Sequence, residues 1–473
     1  MGRNFTKHKI EDSVLREYDI RGIVGKTISK EDAFFVGKSL ASWLNINGIK
    51  KPKCVVGFDG RLSSSEFSDN ICLGLIESGC EVINIGRGPT PLLYYAANRS
   101  NSHAGIMVTG SHNPPEYNGF KIVVDNKPFY GPKIQELGKI SNHGKFINGK
   151  GVSKTVDFSN DYLEEIFNST PSLPALKVAW DPGNGSAGEL IESLVKKLPG
   201  EHILINSKID GNFPSHHPDP TVPENLEQLR ALVTKEKCDL GFAFDGDGDR
   251  IGIIDKFGRI LWGDQYIALL AQDVLADSPG ATIIGDVKCS QVLFDEILRL
   301  KGIPLMWKTG HSCIKEKMQE VSSPLAGEMS GHIFFSDRWF GFDDAIYAAV
   351  RLLMFLDEKS TPLSELYNSL PKAVNTPELR FDCPDEQKFM IIQEVLDRLQ
   401  GDKFLDIVTV DGIRVNRTGG WWLLRASNTQ PALVARVEAE DKEALGELTE
   451  ELCSQLIESG LEPPDNIQKI LDS

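Results

Sequence analysis

"CVVGFDGRLSSSEFSDNICLGLIESGCEVINIG", residues 54–86, decides the fold class. It opens with an apolar, β-branched run that ends at Asp59. A polar turn follows, and Ser63 with Glu66 three residues on reads as a capping box that starts a helix. Gly79 ends the helix, and a second apolar run begins at once. Strand, polar turn, helix, strand is a βαβ unit of a mostly parallel sheet. The same grammar recurs twice. "KVAWDPGNGSAGELIESLVKKLPGEHILIN" (177–206) repeats it from Asp181, with Pro199-Gly200 as the stop. "TIIGDVKCSQVLFDEILRLKGIPLMWKTG" (282–310) repeats it from Asp286, with Ser290 as cap and Gly302 as stop. The three turns lie roughly a hundred residues apart, enough for each unit to seed its own domain.

A second strand and loop follow each unit: "AGIMVTGSHNPP" (104–115), "DLGFAFDGDGDR" (239–250) and "LAGEMSGHIFF" (325–335). Ligands of open α/β sheets bind outside the carboxyl ends of strands. Three such ends with unusual polar chemistry predict one site shared among three domains. After the proline-bearing "LPKAVNTPELRFD" (370–382) the pattern changes to one helix, short strands and a last helix from Asp441. The expected architecture is α/β: three related α/β domains with mixed sheets plus a C-terminal α+β domain. The expected boundaries are 1–156, 157–259, 260–371 and 372–473.

Bulk properties narrow the function classes. There are 51 basic and 67 acidic residues, a net charge of −16, so a nucleic-acid partner is not expected. The eight cysteines form no C-x-x-C pair and read as buried, reduced thiols. No apolar run approaches the ~18 residues that span a bilayer, and the N-terminus lacks a signal-peptide core. A cytoplasmic protein without a membrane partner is expected. Met1-Gly2 through Thr6 fits the short myristoylation pattern, which is common by chance.

Asp245, Asp247 and Asp249 alternate with glycines between two short apolar runs. Alternate carboxylates on a tight glycine loop converge on one hard cation, and the oxygen donors suit Mg²⁺. A calcium loop fails on spacing, since its sixth and twelfth positions would be Arg250 and Lys256. A solvated acidic turn is the bland alternative. Arg250, beside the loop, suits a phosphate oxygen.

In "MVTGSHNPPEYNGFKIV" (107–123), Ser111 sits on a loop stiffened by two prolines, ten residues before Lys121. A serine beside a metal site and cations is what phosphoryl transfer through a covalent intermediate requires. Lys121 would move the acceptor hydroxyl's proton, with a pKa lowered for the task. A serine-hydrolase elbow is disfavoured because G-x-S-x-G is absent. A serine that merely caps a rigid turn is the alternative. In "GEMSGH" (327–332), Glu328, Ser330 and His332 can bind neighbouring sugar hydroxyls. "RASNTQP" (425–431) offers Arg425 and three side-chain donors as a phosphate cradle. "GNGSAG" (183–188) matches a dinucleotide fingerprint only weakly, since no acid ends the next strand; a tight helix–strand packing turn is the preferred reading.

Taken together, these loops resemble the α-D-phosphohexomutase family, in its bacterial phosphomannomutase/phosphoglucomutase branch. The likeness runs through "REYDIRG" (16–22), "DGRLSS" (59–64), "TGSHNPP", "DPGNG", "DGDGDR", "DVKCS" (286–290), "KTGHS" (308–312), "GEMSGH", "RWFGFDD" (338–344) and "RASNT". It implies four domains around a central cleft, and reversible phosphoryl transfer between C1 and C6 of mannose and glucose phosphates. The route is an active-site phosphoserine and a hexose 1,6-bisphosphate. Ser111 matches the phosphoserine; Asp245, Asp247 and Asp249, together with Ser111, match the Mg²⁺ ligands. Glu328 and Ser330 match sugar contacts; Arg425, Ser427, Asn428 and Thr429 match the loop holding the non-reacting phosphate. Tyr18, Arg21, Lys288, His311 and His332 fall where the family lines its cleft, with Arg21, Lys121 and His332 its acid–base groups. Gln430 departs from the glutamate common there. A phosphoglucosamine mutase, or a phosphatase using the same serine, is the competing function; a non-catalytic sugar-phosphate sensor would lack Ser111, Lys121 or the aspartates. Hexose phosphates are the expected partners of a monomer or weak dimer.

Overall fold

Each of the three sequence units folds into the same four-strand arrangement in the computed structural model, which describes residues 7–401, 405–427 and 431–461. In the first, strand Lys53–Phe58 lies between parallel strands Glu81–Arg87 and Ala104–Val108. The chain then turns back as antiparallel Tyr117–Val124. In the second, Leu176–Asp181 lies between Gly200–Leu204 and Leu240–Phe244, and Ile251–Asp255 turns back. In the third, Thr282–Asp286 lies between Ile303–Trp307 and Leu325–Gly327, and Ile333–Phe335 turns back.

Parallel neighbours need crossovers, whereas antiparallel ones can be joined by a tight loop. Helices Ser64–Glu77, Gly188–Val195 and Gln291–Arg299 carry the first crossovers. Thr90–Arg99, Glu227–Glu236 and His311–Val321 carry the second. The polar loop therefore falls at one equivalent place in every unit, between the third strand and its antiparallel return. Strands Ala104–Val108 and Leu240–Phe244 are buried along their whole length, as expected where helices cover both faces.

The first sheet is extended by Ile20–Ile23, antiparallel to Tyr117–Val124, which sets Arg21 opposite Gly119. The C-terminal domain is an antiparallel sheet with helices Asp385–Leu399 and Lys442–Glu458. Asp441 caps the last helix, accepting from Ala444 N at 2.9 Å. Trp422, Leu424, Val437 and Leu452 belong to its separate core. This domain docks on the 286–290 turn of the third. Arg414, fully buried, donates to Val287 O (2.9 Å) and Cys289 O (2.8 Å). Its guanidinium stacks 3.7 Å from the centroid of Trp421.

Local expectations fare unevenly. Ser290 caps its helix as expected, accepting from Val292 N at 3.1 Å. Ser63 does not: it has helical backbone angles and makes no cap bond. Asp59 Oδ1 accepts from Arg61 N (2.9 Å), and this early turn winds Ser63 into the helix. Ser63 Oγ instead accepts from Asn118 Nδ2. The "GNGSAG" stretch is a packing turn. A Cβ on Gly188 would lie 1.9 Å from Ser207 O, and Ser186 N reaches back to Gly246 O (2.9 Å), buttressing the aspartate loop. All eight cysteines are free, but Cys313 and Cys453 are only half-buried. Among the described residues no helix is long and apolar enough to cross a membrane.

Candidate active site

Ser111 sits at the carboxyl end of strand Ala104–Val108 with φ +49°, in the left-handed region. Non-glycine residues occupy that region at a cost, and persist there only where surroundings over-determine it. Arg61 supplies the constraint. Its guanidinium donates to four carbonyls of the loop: Pro114 (2.6 Å), Tyr117 (3.0 Å), Ser111 (2.7 Å) and Asn113 (2.5 Å). Thr109 Oγ1 and Gly110 N donate to Asp59 Oδ2, which lies 3.2 Å from Arg61 Nε. Arg21 adds bonds to Asn113 Oδ1 (2.7 Å) and Gly110 O, and pairs with Asp19.

So held, the Ser111 hydroxyl donates to Asp245 Oδ2 at 2.9 Å across the domain boundary. Asp245, Asp247 and Asp249 are fully buried, and each offers a carboxylate oxygen within 4.8 Å of the others. Asp245 Oδ1 accepts from Asp249 N (3.0 Å) and Arg250 N (3.1 Å), which folds the loop on itself. Asp247 Oδ2 accepts from Thr90 Oγ1 and Lys121 Nζ (2.8 Å). Among the described residues, Oδ1 of Asp247 and Oδ1 of Asp249 are buried and make no hydrogen bond. Hard oxygen donors converging with unsatisfied lone pairs fit Mg²⁺. Burial and the other two aspartates push Asp245 well above the usual carboxylate range.

Lys121 bridges Asp247 and Asp249. Sequence reasoning expects a lowered pKa here, and the structure reverses this. Burial does oppose the charge, but the aspartates outweigh it and hold the lysine above its ordinary value.

The "GEMSGH" loop closes this arrangement from the third domain. His332 Nδ1 lies 2.8 Å from Glu328 Oε2, and its Nε2 lies 3.3 Å from Asp249 Oδ1. Arg250 Nε is 3.2 Å from the same nitrogen, so Arg250 faces the histidine. Burial and Arg250 disfavour the imidazolium, yet Asp249 and Glu328 prevail and raise His332 to about 9. Burial opposes ionisation of Glu328 too, but His332 and Gly310 N lower it to about 2. Gly310 N binds Glu328 Oε1 at 2.6 Å, and Ser330 Oγ lies 3.4 Å from His332 Nδ1. The His311 ring stacks on His332 at 5.4 Å.

Thr309 joins the remaining residues. Its carbonyl accepts from Tyr18 OH (2.8 Å), and its N–H donates to Asp411 Oδ2 (3.1 Å), which also accepts from Arg425 Nε (3.0 Å). Lys288 turns to Glu378 of the C-terminal domain (3.4 Å). The Ser427 carbonyl accepts from Lys388 Nζ (2.6 Å). Asn428, Thr429 and Gln430 lie outside the described residues. Sequence reasoning missed Arg61, Thr90, Lys315 and Asp343. The i, i+2 spacing of Asp59 and Arg61 and the i, i+4 spacing of His311 and Lys315 are the signals that could have found two of them.

Profiles of the phosphoglucomutase/phosphomannomutase family match along the chain. The alpha/beta/alpha domains I, II and III match residues 12–148, 160–258 and 262–374, and the C-terminal domain matches 378–455. The chain is 44% identical over 454 residues to a phosphomannomutase/phosphoglucomutase of Pseudomonas aeruginosa, covering 96% of this chain and 97% of that one. It is 42% identical over 439 residues to a phosphoglucomutase of Neisseria gonorrhoeae, covering 92% and 95%. A crystal structure of a phosphoglucomutase/phosphomannomutase family protein from Burkholderia thailandensis superposes with TM-score 0.88 at 42% identity, covering 94% and 97%. With four domains in family order and relatives matched over nearly their full length, the chain belongs to the phosphoglucomutase/phosphomannomutase family of α-D-phosphohexomutases and is a hexose-phosphate mutase.

Proposed function

We propose that the chain interconverts the 1- and 6-phosphates of mannose and glucose by carrying one phosphoryl group on Ser111. The observation that supports this most is the Ser111 hydroxyl held 2.9 Å from Asp245, on a loop clamped by Arg61. In the first half-reaction the P–Oγ bond of phospho-Ser111 breaks and a P–O bond forms to the free sugar hydroxyl, which loses its proton. The product is a hexose 1,6-bisphosphate. The sugar turns over in the cleft, its other phosphate returns to Oγ, and the oxygen it leaves takes up a proton. A rigid donor loop suits this chemistry because only the sugar then needs to move.

Asp245, Asp247, Asp249 and Ser111 Oγ would hold Mg²⁺, which when bound neutralises phosphoryl oxygens. Arg21, Lys121 and His332 hold or move the hydroxyl's proton, and Arg250 helps orient the phosphoryl group. Glu328 and Ser330 bind sugar hydroxyls; Tyr18, Lys288 and His311 line the cleft. Arg425, Ser427, Asn428 and Thr429 grip the non-reacting phosphate. The C-terminal domain thereby covers the sugar and excludes water, which would otherwise hydrolyse the phosphoserine.

³¹P NMR of mannose 1-phosphate with the protein, Mg²⁺ and a trace of hexose 1,6-bisphosphate tests this reading. A growing 6-phosphate signal supports the mutase, and glucose and glucosamine 1-phosphates rank the sugars. Inorganic phosphate in its place would make the protein a phosphatase.

A further inference from the structure

The segment 207–220 leaves the edge strand Gly200–Leu204 of the second domain, crosses to the first domain and returns beside the aspartate loop. Its outward end is tied to the "GNGSAG" turn. Asn184 Nδ2 donates to Lys208 O (2.9 Å), and Asp210 N donates to Asn184 O (3.0 Å). In mid-course the segment lies on the Gly60–Arg61 turn. A Cβ on Gly211 would stand 2.7 Å from Arg61 Cα, and Ile209 leaves no room for one on Gly60. The Phe213 ring is buried, and its centroid lies 5.1 Å from the Arg61 guanidinium carbon. Phe213 has φ +50°, which a non-glycine residue keeps only where its surroundings fix it. On the return, Pro218 Cγ lies 3.4 Å from where a Cβ on Gly246 would sit, between Asp245 and Asp247. The segment is a strap across the boundary that the Ser111–Asp245 hydrogen bond spans.

His216 fastens the returning end. Its Nε2 lies 2.9 Å from Asp181 Oδ2, and its Nδ1 lies 3.0 Å from the carbonyl oxygen of His217. A carboxylate and a carbonyl oxygen only accept, so both ring nitrogens donate and the ring is an imidazolium. A neutral ring would turn a lone pair on one of the two oxygens. Asp181 ends strand Leu176–Asp181 and is fully buried; its other oxygen accepts from Gly183 N (2.9 Å) and Asn206 Nδ2 (3.0 Å). It is the charged side chain that faces the ring. A Cβ on Gly183 would lie 3.3 Å from His216 Cε1, and Gln228 of helix Glu227–Glu236 reaches the Ser215 carbonyl at 3.1 Å. Burial opposes the charge of the ring, but Asp181 and the His217 carbonyl outweigh it and hold His216 above the ordinary imidazole value. The side chain is 11% exposed, so its proton exchanges with solvent.

We infer that His216 is a positioning residue: its imidazolium ties the strap to Asp181, the strap seals Arg61 in place, and Arg61 holds the Ser111 loop in register with the aspartate loop. Arg61 is the link because its side chain is fully buried under the strap while its guanidinium serves four carbonyls of the Ser111 loop. The charge gives the tie a pH window. Its contribution is fully present below about pH 6.5, the ordinary histidine value, and is lost as pH rises through the raised value of the folded protein. The effect on catalysis rests on the Ser111 reading above; the fastening of the strap does not.

The test combines two pH series on the full chain. Long-range ¹H–¹⁵N correlation of protein labelled with ¹⁵N-histidine follows His216, with His216→Gln to assign the signal. At about pH 6 both ring nitrogens should be protonated, and the midpoint should lie above the ordinary histidine value of about 6.5. The second series is kcat for glucose 1-phosphate at saturating Mg²⁺. The ratio of wild-type to His216→Gln kcat should be about tenfold at low pH, part of the roughly hundredfold that a 1 Å misplacement costs. It should fall toward one as pH rises through the midpoint seen by NMR, because the wild type then loses the same tie. Phe213→Ala, which takes the strap off Arg61 and leaves the ion pair, should lower kcat by a similar factor while His216 titrates as in the wild type. A neutral His216 at about pH 6 overturns the inference, and does so even if no variant folds. A folded His216→Gln protein whose kcat ratio is one, or does not change with pH, also overturns it, as does a folded Phe213→Ala protein with wild-type kcat. Failure of the Ser111 reading would show differently, as wild-type turnover with no phosphate on Ser111, and the protonation of His216 would still decide whether the strap is fastened.

Discussion

The guanidinium of Arg61 donates to the carbonyl oxygen of Ser111 across 2.7 Å, although the two residues belong to different loops of the first domain. Three further carbonyls of the same loop share that guanidinium. Arg61→Met removes the clamp and leaves four carbonyls to find other partners. Misplacing a reacting atom by about 1 Å costs roughly a hundredfold in rate. The variant should therefore lose about a hundredfold in kcat with KM little changed. Steady-state kinetics, with circular dichroism to confirm the fold, measures this.

The left-handed backbone of Ser111 separates chemistry from strain. Ser111→Ala and Ser111→Gly both remove the hydroxyl, and neither should turn over substrate. Their stabilities should differ. Alanine keeps the Cβ that makes φ +49° unfavourable, whereas glycine occupies that region freely. The glycine variant should be more stable than the alanine variant by about 1 kcal/mol. Denaturant unfolding of the two proteins compares them directly; equal midpoints would mean that the loop relaxes.

Asp247 is the middle carboxylate of the buried loop, and its Oδ1 makes no hydrogen bond among the described residues. Asp247→Asn removes one negative charge while preserving shape. Altering even an outer partner of a metal site typically costs 10- to 100-fold in affinity. The Mg²⁺ concentration for half-maximal activity should rise at least about tenfold. An unchanged Mg²⁺ requirement would count against placing the ion in this loop.

Asp344, at the N-cap of helix Ala345–Lys359, bears on stability. It is fully buried and accepts from Tyr162 OH (2.8 Å), Trp339 Nε1 (3.1 Å) and Tyr347 N (2.9 Å). Burial outweighs these donors and pushes its pKa up to about 7. The folded state therefore binds a proton that the unfolded state releases above about pH 4. The stabilisation from that protonation is fully present below about pH 4 and is lost as pH rises to about 7. Its upper size is on the order of 4 kcal/mol. Denaturant midpoints of the wild type and Asp344→Asn at pH values across that window should diverge, with the asparagine variant showing the flatter profile.

The repeated architecture was legible because it rests on local signals: an apolar run, a polar turn and a capped helix, three times over. The aspartate loop was legible because glycines between carboxylates leave few other readings. What escaped depends on contacts distant in sequence. Arg61 reads as a turn residue until the loop 50 residues later folds over it. Asp343 stands in an aromatic stretch and gains meaning only against His311 and Lys315. Ser63 failed as a cap because Asp59 begins the turn earlier. The pKa of Lys121 shifts opposite to the expected direction for a related reason. Burial alone lowers a lysine pKa, and the two carboxylates that reverse the sign come from another domain.

The most direct test of the account is the site of phosphorylation. The protein is incubated with glucose 1,6-bisphosphate and Mg²⁺, digested, and its peptides are mapped by mass spectrometry. The account predicts one phosphoryl group, on Ser111, that disappears on addition of excess glucose 6-phosphate as the bisphosphate re-forms. Full mutase activity without phosphate on Ser111, or with phosphate on another residue that turns over at the catalytic rate, would contradict it.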